Sequence, residues 1–300
     1  MKFFFIFFVV FSAFCKISFA ATDINNDLKK PLVITSINPI YQIALAITQD
    51  KNNTILIINP TFSEHNYQLK KSDAEFISKA DLIFYISTEL ENNFTKFIKN
   101  YDKKSQAYEL IKINDIKLLR NRGNPKKDDI HIWLNPDNAI KIAEFISKKI
   151  IEIDPQNAKK YQKNLANLKK EILVTQENVK ENLVKISGKN YIFYHDGYQY
   201  FEDYFVVKPI KVIFQNHHYG FRSNDLKEID SLIKTKKVKC IFSEPQDENN
   251  SAMKLAQNYK VKFSILDGIG LKENYNKANG YSALLFNLSN QMTLCLDAVL

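Results

Sequence analysis

Short apolar runs rich in β-branched and aromatic residues alternate with longer stretches in which apolar residues recur every three or four positions. The runs at 32–35, 54–58 and 81–86 are each followed by an amphipathic stretch, at 41–48, 71–80 and 89–99. This rhythm predicts βα units and a parallel sheet, because parallel strands need crossover connections and a helix commonly supplies them. Ser72 and Glu75 have capping-box spacing, which predicts a helix start there with Phe76 and Ile77 turned inward. A polar stretch from 113 to 129, broken by Gly123 and Pro125, reads as a loop.

A helix should follow Pro136 and run to about residue 151, after which Asp154-Pro155 opens a second, longer helical stretch over 156–186. Tyr161, Leu165, Leu168, Ile172, Val179 and Leu183 recur there at helical spacing. Such a segment would extend about 45 Å, more than one small lobe needs, and reads as a bridge between lobes. The alternation then resumes at 191–194, 211–214, 238–243 and 261–266, and closes with a helix over 281–299. The expected fold class is α/β: two lobes, each with a central, mainly parallel sheet flanked by helices. The expected division is an N-terminal lobe at 21–155, the linking helix at 156–186 and a C-terminal lobe at 187–300.

The first residues stand outside this plan. Met1-Lys2 precedes a nearly unbroken apolar run from Phe3 to Phe14, followed by Ser18-Phe19-Ala20. An apolar core of about 12 residues is too short for a spanning helix and fits a secretory signal peptide cleaved after Ala20. The formal charge of +9 falls to +7 once Lys2 and Lys16 leave with that segment. The lysines are scattered among acids, with no arginine-rich block or aromatic-basic alternation of the kind that grips nucleic acid. Export also removes Cys15 and leaves Cys240 and Cys295, a pair that suggests one disulfide in an oxidising compartment.

Candidate chemistry centres on the five histidines. His65 and His195 lie just past predicted strands, His131 lies at a helix entrance, and Asp267 follows an apolar run. In open α/β sheets ligands collect outside the carboxyl ends of strands. Three imidazoles and a carboxylate suit tetrahedral Zn²⁺, and imidazole also suits copper and nickel, whereas manganese usually trades nitrogen for carboxylate oxygen. The wide separation of the four residues excludes a zinc-finger spacing. His217-His218 reads as an exposed loop pair, with a second metal site as the alternative. Trp133, Tyr194, Tyr198 and Tyr200 read as packing that dries the cleft. Glu202 and Glu244 are candidates to orient an imidazole. No Gly-rich phosphate loop, Gly-x-Ser-x-Gly or His-Glu-x-x-His motif is present.

These residues also carry a resemblance. Ser63-Glu64-His65-Asn66-Tyr67 followed by Ser72-Asp73 and Ala80-Asp81-Leu82-Ile83, then His131-Ile132-Trp133-Leu134-Asn135-Pro136, resemble the first two metal-ligand segments of the cluster A-I solute-binding proteins. Tyr194-His195-Asp196-Gly197-Tyr198-Gln199-Tyr200-Phe201 resembles the third, and Phe242-Ser243-Glu244-Pro245-Gln246 a marker strand of the C-terminal lobe. Their order spans almost the whole chain beyond residue 20. The resemblance implies two lobes joined by a rigid helix, with the metal bound in the interlobe cleft by His65, His131 and His195. A histidine at the third position resembles the zinc branch, periplasmic proteins that deliver Zn²⁺ to an ABC-transporter membrane permease with its cytoplasmic ATPase. The fourth ligand maps to Asp267, with Glu64 as the alternative, and Cys240 and Cys295 match the disulfide pair of zinc-binding relatives. The chain departs from that branch in two ways: residues 101–130 hold no histidine, and Asp267-Gly268-Ile269-Gly270 replaces the commoner Asp-Pro-Leu-Gly. A monomeric, non-enzymatic carrier is expected. The rival readings are a manganese or other transition-metal protein of the same family, a metal-binding surface adhesin, and a secreted zinc hydrolase.

Overall fold

The computed structural model describes residues 30–61, 67–100, 106–214, 223–247, 250–271 and 280–297. The predicted signal peptide, Glu64, His65, His217 and His218 lie outside the described residues. The N-terminal half runs β1 (Val33–Thr35), α1 (Asn38–Thr48), β2 (Thr54–Leu56), α2 (Lys71–Lys79), β3 (Leu82–Tyr85), α3 (Asn92–Lys99) and β4 (Gln106–Glu109). Its four strands form a parallel sheet in the order β2-β1-β3-β4, with Val33 opposite both Thr54 and Leu82. α4 (Pro136–Ile153) and α5 (Ala158–Val184) follow. The second half runs β5 (Tyr191–His195), α6 (Gln199–Phe205), β6 (Lys211–Phe214), α7 (Ser223–Lys236), β7 (Cys240–Ser243), α8 (Ser251–Tyr259), β8 (Lys262–Ile265) and α9 (Gly280–Asp297). Its sheet repeats the same plan, β6-β5-β7-β8, also parallel.

In both sheets the first strand lies inside, with the second on one flank and the third on the other. The chain therefore reverses its winding beside β1 and beside β5, and such switch points open a crevice at the strands' carboxyl ends. His195 is the last residue of β5. Its position at a crevice follows from strand order alone.

Both faces of the C-terminal sheet are covered, as βα crossovers require. The two-residue period of a strand divides the side chains: Tyr191, Phe193, Cys240 and Phe242 enter the main core, while Ile192 and Ile241 enter a smaller one with Ile229, Ala252 and Leu255. The main core is continuous between the halves, joining Ile34, Ile43 and Phe84 to Phe193, Leu284 and Leu288. α5 presents Tyr161, Leu168, Ile172, Val179 and Leu183 to it and packs against α1, α4 and α9. The bond from Asn164 Nδ2 to Ile47 O, 2.7 Å, ties the first turns of α5 to α1, and that from Thr293 Oγ1 to Asn182 O ties its last turns to α9. Cys240 and Cys295 form a disulfide between β7 and α9, with Cα atoms 6.1 Å apart.

Two expectations need correction. α2 is closed by Asp73 rather than by Ser72 and Glu75: its carboxylate accepts the Lys70 N–H and the Tyr67 hydroxyl, each at 2.8 Å. That phase turns Asp73 and Ile77, four residues apart, to the core, leaves Phe76 41% exposed, and frees Glu75 to pair with Lys79. β4 was not expected at all. It is an edge strand with Gln106 and Ala107 exposed, so it lacks the apolar run that marks a strand covered on both faces.

Candidate metal centre

His131 follows the polar loop, immediately before the 3-10 turn Ile132–Leu134 and α4. Asn135 caps α4, its side-chain oxygen accepting the Asp137 and Asn138 amides, and Pro136 fits the first helical position. Asp129 sets the imidazole: one carboxylate oxygen accepts both the His131 backbone N–H and Nδ1–H, each at 2.8 Å. A neutral ring that gives its Nδ1 proton to a carboxylate carries its lone pair on Nε2, the arrangement metal-binding histidines usually adopt.

His195 comes to the same place from the other half. The two rings are edge to face, with centroids 5.8 Å apart. Gly197 fixes where they converge, since a Cβ there would lie 3.4 Å from His195 Nε2 and 3.7 Å from His131 Nε2. Glu244, at the end of β7, holds Oε2 3.9 Å from His195 Nε2. Two residues on, Gln246 Nε2 donates to Pro60 O at 3.2 Å, which draws the chain just before Glu64 and His65 to this end of the C-terminal sheet. Just beyond them, Asn93 Nδ2 donates to Tyr67 O.

Asp267 follows β8 and is buried, and its carboxylate accepts the amides of Ile269, Gly270 and Leu271 at 3.3, 2.7 and 2.6 Å. The loop it forms is seated against the histidine segments. Trp133 Nε1 donates to Gly268 O at 2.8 Å and Tyr198 hydroxyl to Leu266 O at 2.6 Å. Asn38, from the mouth of β1, donates to both Ile269 O and Gly270 O. Trp133, Tyr198 and Tyr200 are buried, whereas Tyr194, expected with them, is partly buried and packs against the smaller core of the C-terminal sheet. Among the described residues no three His, Cys, Asp or Glu side chains form a metal-holding group. The geometry thus assembles two of the expected ligands and leaves the others as expectations.

A charged cluster that the sequence reading missed joins the polar loop to the His195 segment and α6. Arg122 Nη1 donates to Asp196 Oδ1 at 2.8 Å and to Glu202 Oε1 at 3.1 Å, and Nη2 to Glu202 Oε2. Glu202 therefore serves Arg122 rather than an imidazole. Burial pushes the Glu202 carboxyl up to about 7, against the pull of Arg122. Burial likewise raises Asp196. Burial works to lower Arg122, but Glu202 and Asp196 overcome it and hold the guanidinium above its ordinary value. An Asp two residues before the histidine was the available signal for Asp129. Arg122 carried none, being one cation in a polar loop.

Residues 33–294 match the model of the family described as ZnuA, zinc-uptake complex component A, periplasmic. The chain is 27% identical over 309 aligned positions to the high-affinity zinc uptake system protein ZnuA of Brucella suis biovar 1 (strain 1330), covering 88% of this chain and 91% of that protein. The protein of the same name from Yersinia pestis is 26% identical over 295 positions, covering 90% and 92%. Among solved structures, the manganese-bound periplasmic metal binding protein from Candidatus Liberibacter asiaticus is similar with a TM-score of 0.76 at 22% identity, covering 89% of this chain and 100% of that one.

Proposed function

The chain belongs to the family of zinc-uptake complex component A, and from that premise we propose that it captures Zn²⁺ in the crevice between its two sheets and delivers it to an ABC-transporter membrane permease served by a cytoplasmic ATPase. The observation that carries this reading is the approach of His131 and His195 from opposite halves of the chain, with both Nε2 atoms near one point beside Gly197. His65 completes the imidazole set, and Asp267 or Glu64 closes the shell. Three nitrogen donors favour zinc over the harder manganese ion. The protein acts as a periplasmic monomeric carrier, exported by residues 1–20, with lobes at 21–155 and 187–300 joined by the helix of 156–186. Because one apolar core runs between the lobes, release requires a small relative displacement rather than full separation.

The test is metal analysis of protein purified without added metal, with zinc titrations of His65→Ala, His131→Ala and His195→Ala. One zinc per chain in the parent and loss of tight binding in each variant is the expected result. Stoichiometric tight binding retained in all three would overturn the ligand set, and manganese as the bound metal would overturn the cargo.

A further inference from the structure

The loop at 113–129 makes a set of bonds that a solvated connector does not need. It is folded on itself: Asn121 Oδ1 accepts the Gly123 and Asn124 amides, Asn121 N donates to Lys127 O, and Asp129 N donates to Leu119 O. It is also fastened to α6, through Gln199 Nε2 to Arg120 O at 2.9 Å and through the Tyr200 hydroxyl, which accepts Leu119 N–H and donates to Asp129 O. From this folded loop Arg122 reaches two carboxylates whose side chains are only 2% and 5% exposed, Asp196 and Glu202. Buried carboxylates keep a fixed position when a cation with several directed donors meets them, and the planar fork of arginine supplies that geometry.

The position of this fork matters more than its strength. Asp196 lies between His195 and Gly197, so a bond to its side chain restrains the turn that aims one imidazole. The loop bearing Arg122 ends at Asp129, whose carboxylate aims the other imidazole. Beside the bonds that α6 makes through Gln199 and Tyr200, the guanidinium therefore adds a charged restraint that runs from the Asp129–His131 side of the crevice to the Asp196 side chain in the His195–Gly197 turn.

We propose that Arg122 is a positioning residue for the metal site, its guanidinium holding the His131 and His195 segments at the separation that lets both rings meet one ion. This rests on the zinc-binding reading above. Partners that orient a ligand typically change metal affinity by about 10–100-fold when removed, and a ligand spacing error of about 0.2 Å is enough to matter.

The experiment compares the full-length mature protein with Arg122→Gln and Arg122→Lys. Zinc affinity is read by chelator competition, release rate by transfer of zinc to excess chelator, site geometry by the visible absorption of the Co²⁺ form, and folding by melting of the metal-free protein. Arg122→Gln should keep one zinc per chain, bind it about 10–100-fold more weakly, release it faster, and shift the Co²⁺ bands. Arg122→Lys, a point charge that cannot fork, should restore only part of the affinity. Unchanged zinc affinity and an unchanged Co²⁺ spectrum alongside a lowered melting temperature would make Arg122 a stability element only and overturn the proposal. Tighter zinc binding in Arg122→Gln would overturn it too, because it would mean that the guanidinium acts by repelling the cation. Should Arg122→Gln fail to fold, the same affinities and spectra on Arg122→Lys decide. Failure of the parent protein to bind zinc would instead remove the functional reading, an outcome visible before any variant is compared.

Discussion

Replacing Gly197 by alanine should damage the metal site while leaving the fold intact. An alanine Cβ at this position would lie 3.0 Å from His195 Cδ2 and 3.4 Å from Nε2. Contacts this short are tighter than ordinary van der Waals packing, so the ring must retreat by a few tenths of an ångström. Metal ligation tolerates about 0.2 Å. The retreat exceeds that tolerance, and a loss of about 10–100-fold in zinc affinity is expected, comparable to removal of an orienting partner. The backbone itself accepts alanine, because Gly197 is not among the positive-φ glycines, Gly188 and Gly270. On a compatible backbone a Gly→Ala change stabilises by about 0.4–1 kcal/mol through the unfolded chain. The crowding of the buried His195 ring opposes that gain, so the metal-free variant should melt close to the parent. At saturating zinc, the stabilisation conferred by the metal should fall by about 1.4–2.8 kcal/mol, which is the affinity loss expressed through linkage. Zinc titration by calorimetry and paired melts with and without zinc measure both quantities. Parent-like zinc affinity in a folded Gly197→Ala protein would refute the placement of the ion between these two rings.

Other outcomes follow from the same structure. Reduction of Cys240–Cys295, or the double change to alanine, opens a loop with a sequence separation of 55 and should cost about 2–4 kcal/mol in denaturant titrations, with zinc stoichiometry retained because Cys240 pairs with Tyr191, at the opposite end of β5 from His195. Zinc affinity should weaken as pH falls below about 6.5, since protons compete for the imidazole nitrogens, and equal affinity at about pH 7.5 and 5 would contradict histidine ligation. Asn38→Ala removes both donors to the carbonyls of Ile269 and Gly270 and should destabilise the protein by about 1–3 kcal/mol. It should also loosen the Asp267 loop, measurable as faster amide exchange at 269–271.

The architecture was legible in the chain because its information is periodic and local. The alternation of strand and helix patterns gave both sheets, and the apolar stripe of α5 gave the long helix almost to its ends, because each depends on a face meeting a core. β4 escaped because an edge strand has polar neighbours on one side, and the phase of α2 was misread because Asp73, not Ser72, found the orphan amide. Histidines at strand and helix mouths were readable as candidates. Their meeting was not, since His131 and His195 lie in segments remote in sequence that approach only when the two halves pack on a shared core. Arg122 belongs wholly to the tertiary level, whereas Asp129 acts on a histidine two residues away. The effect of Arg122 is electrostatic and directional, exerted through hydrogen bonds to Asp196 and Glu202 in a segment remote in sequence, and no composition or spacing encodes which buried carboxylate a loop arginine will reach.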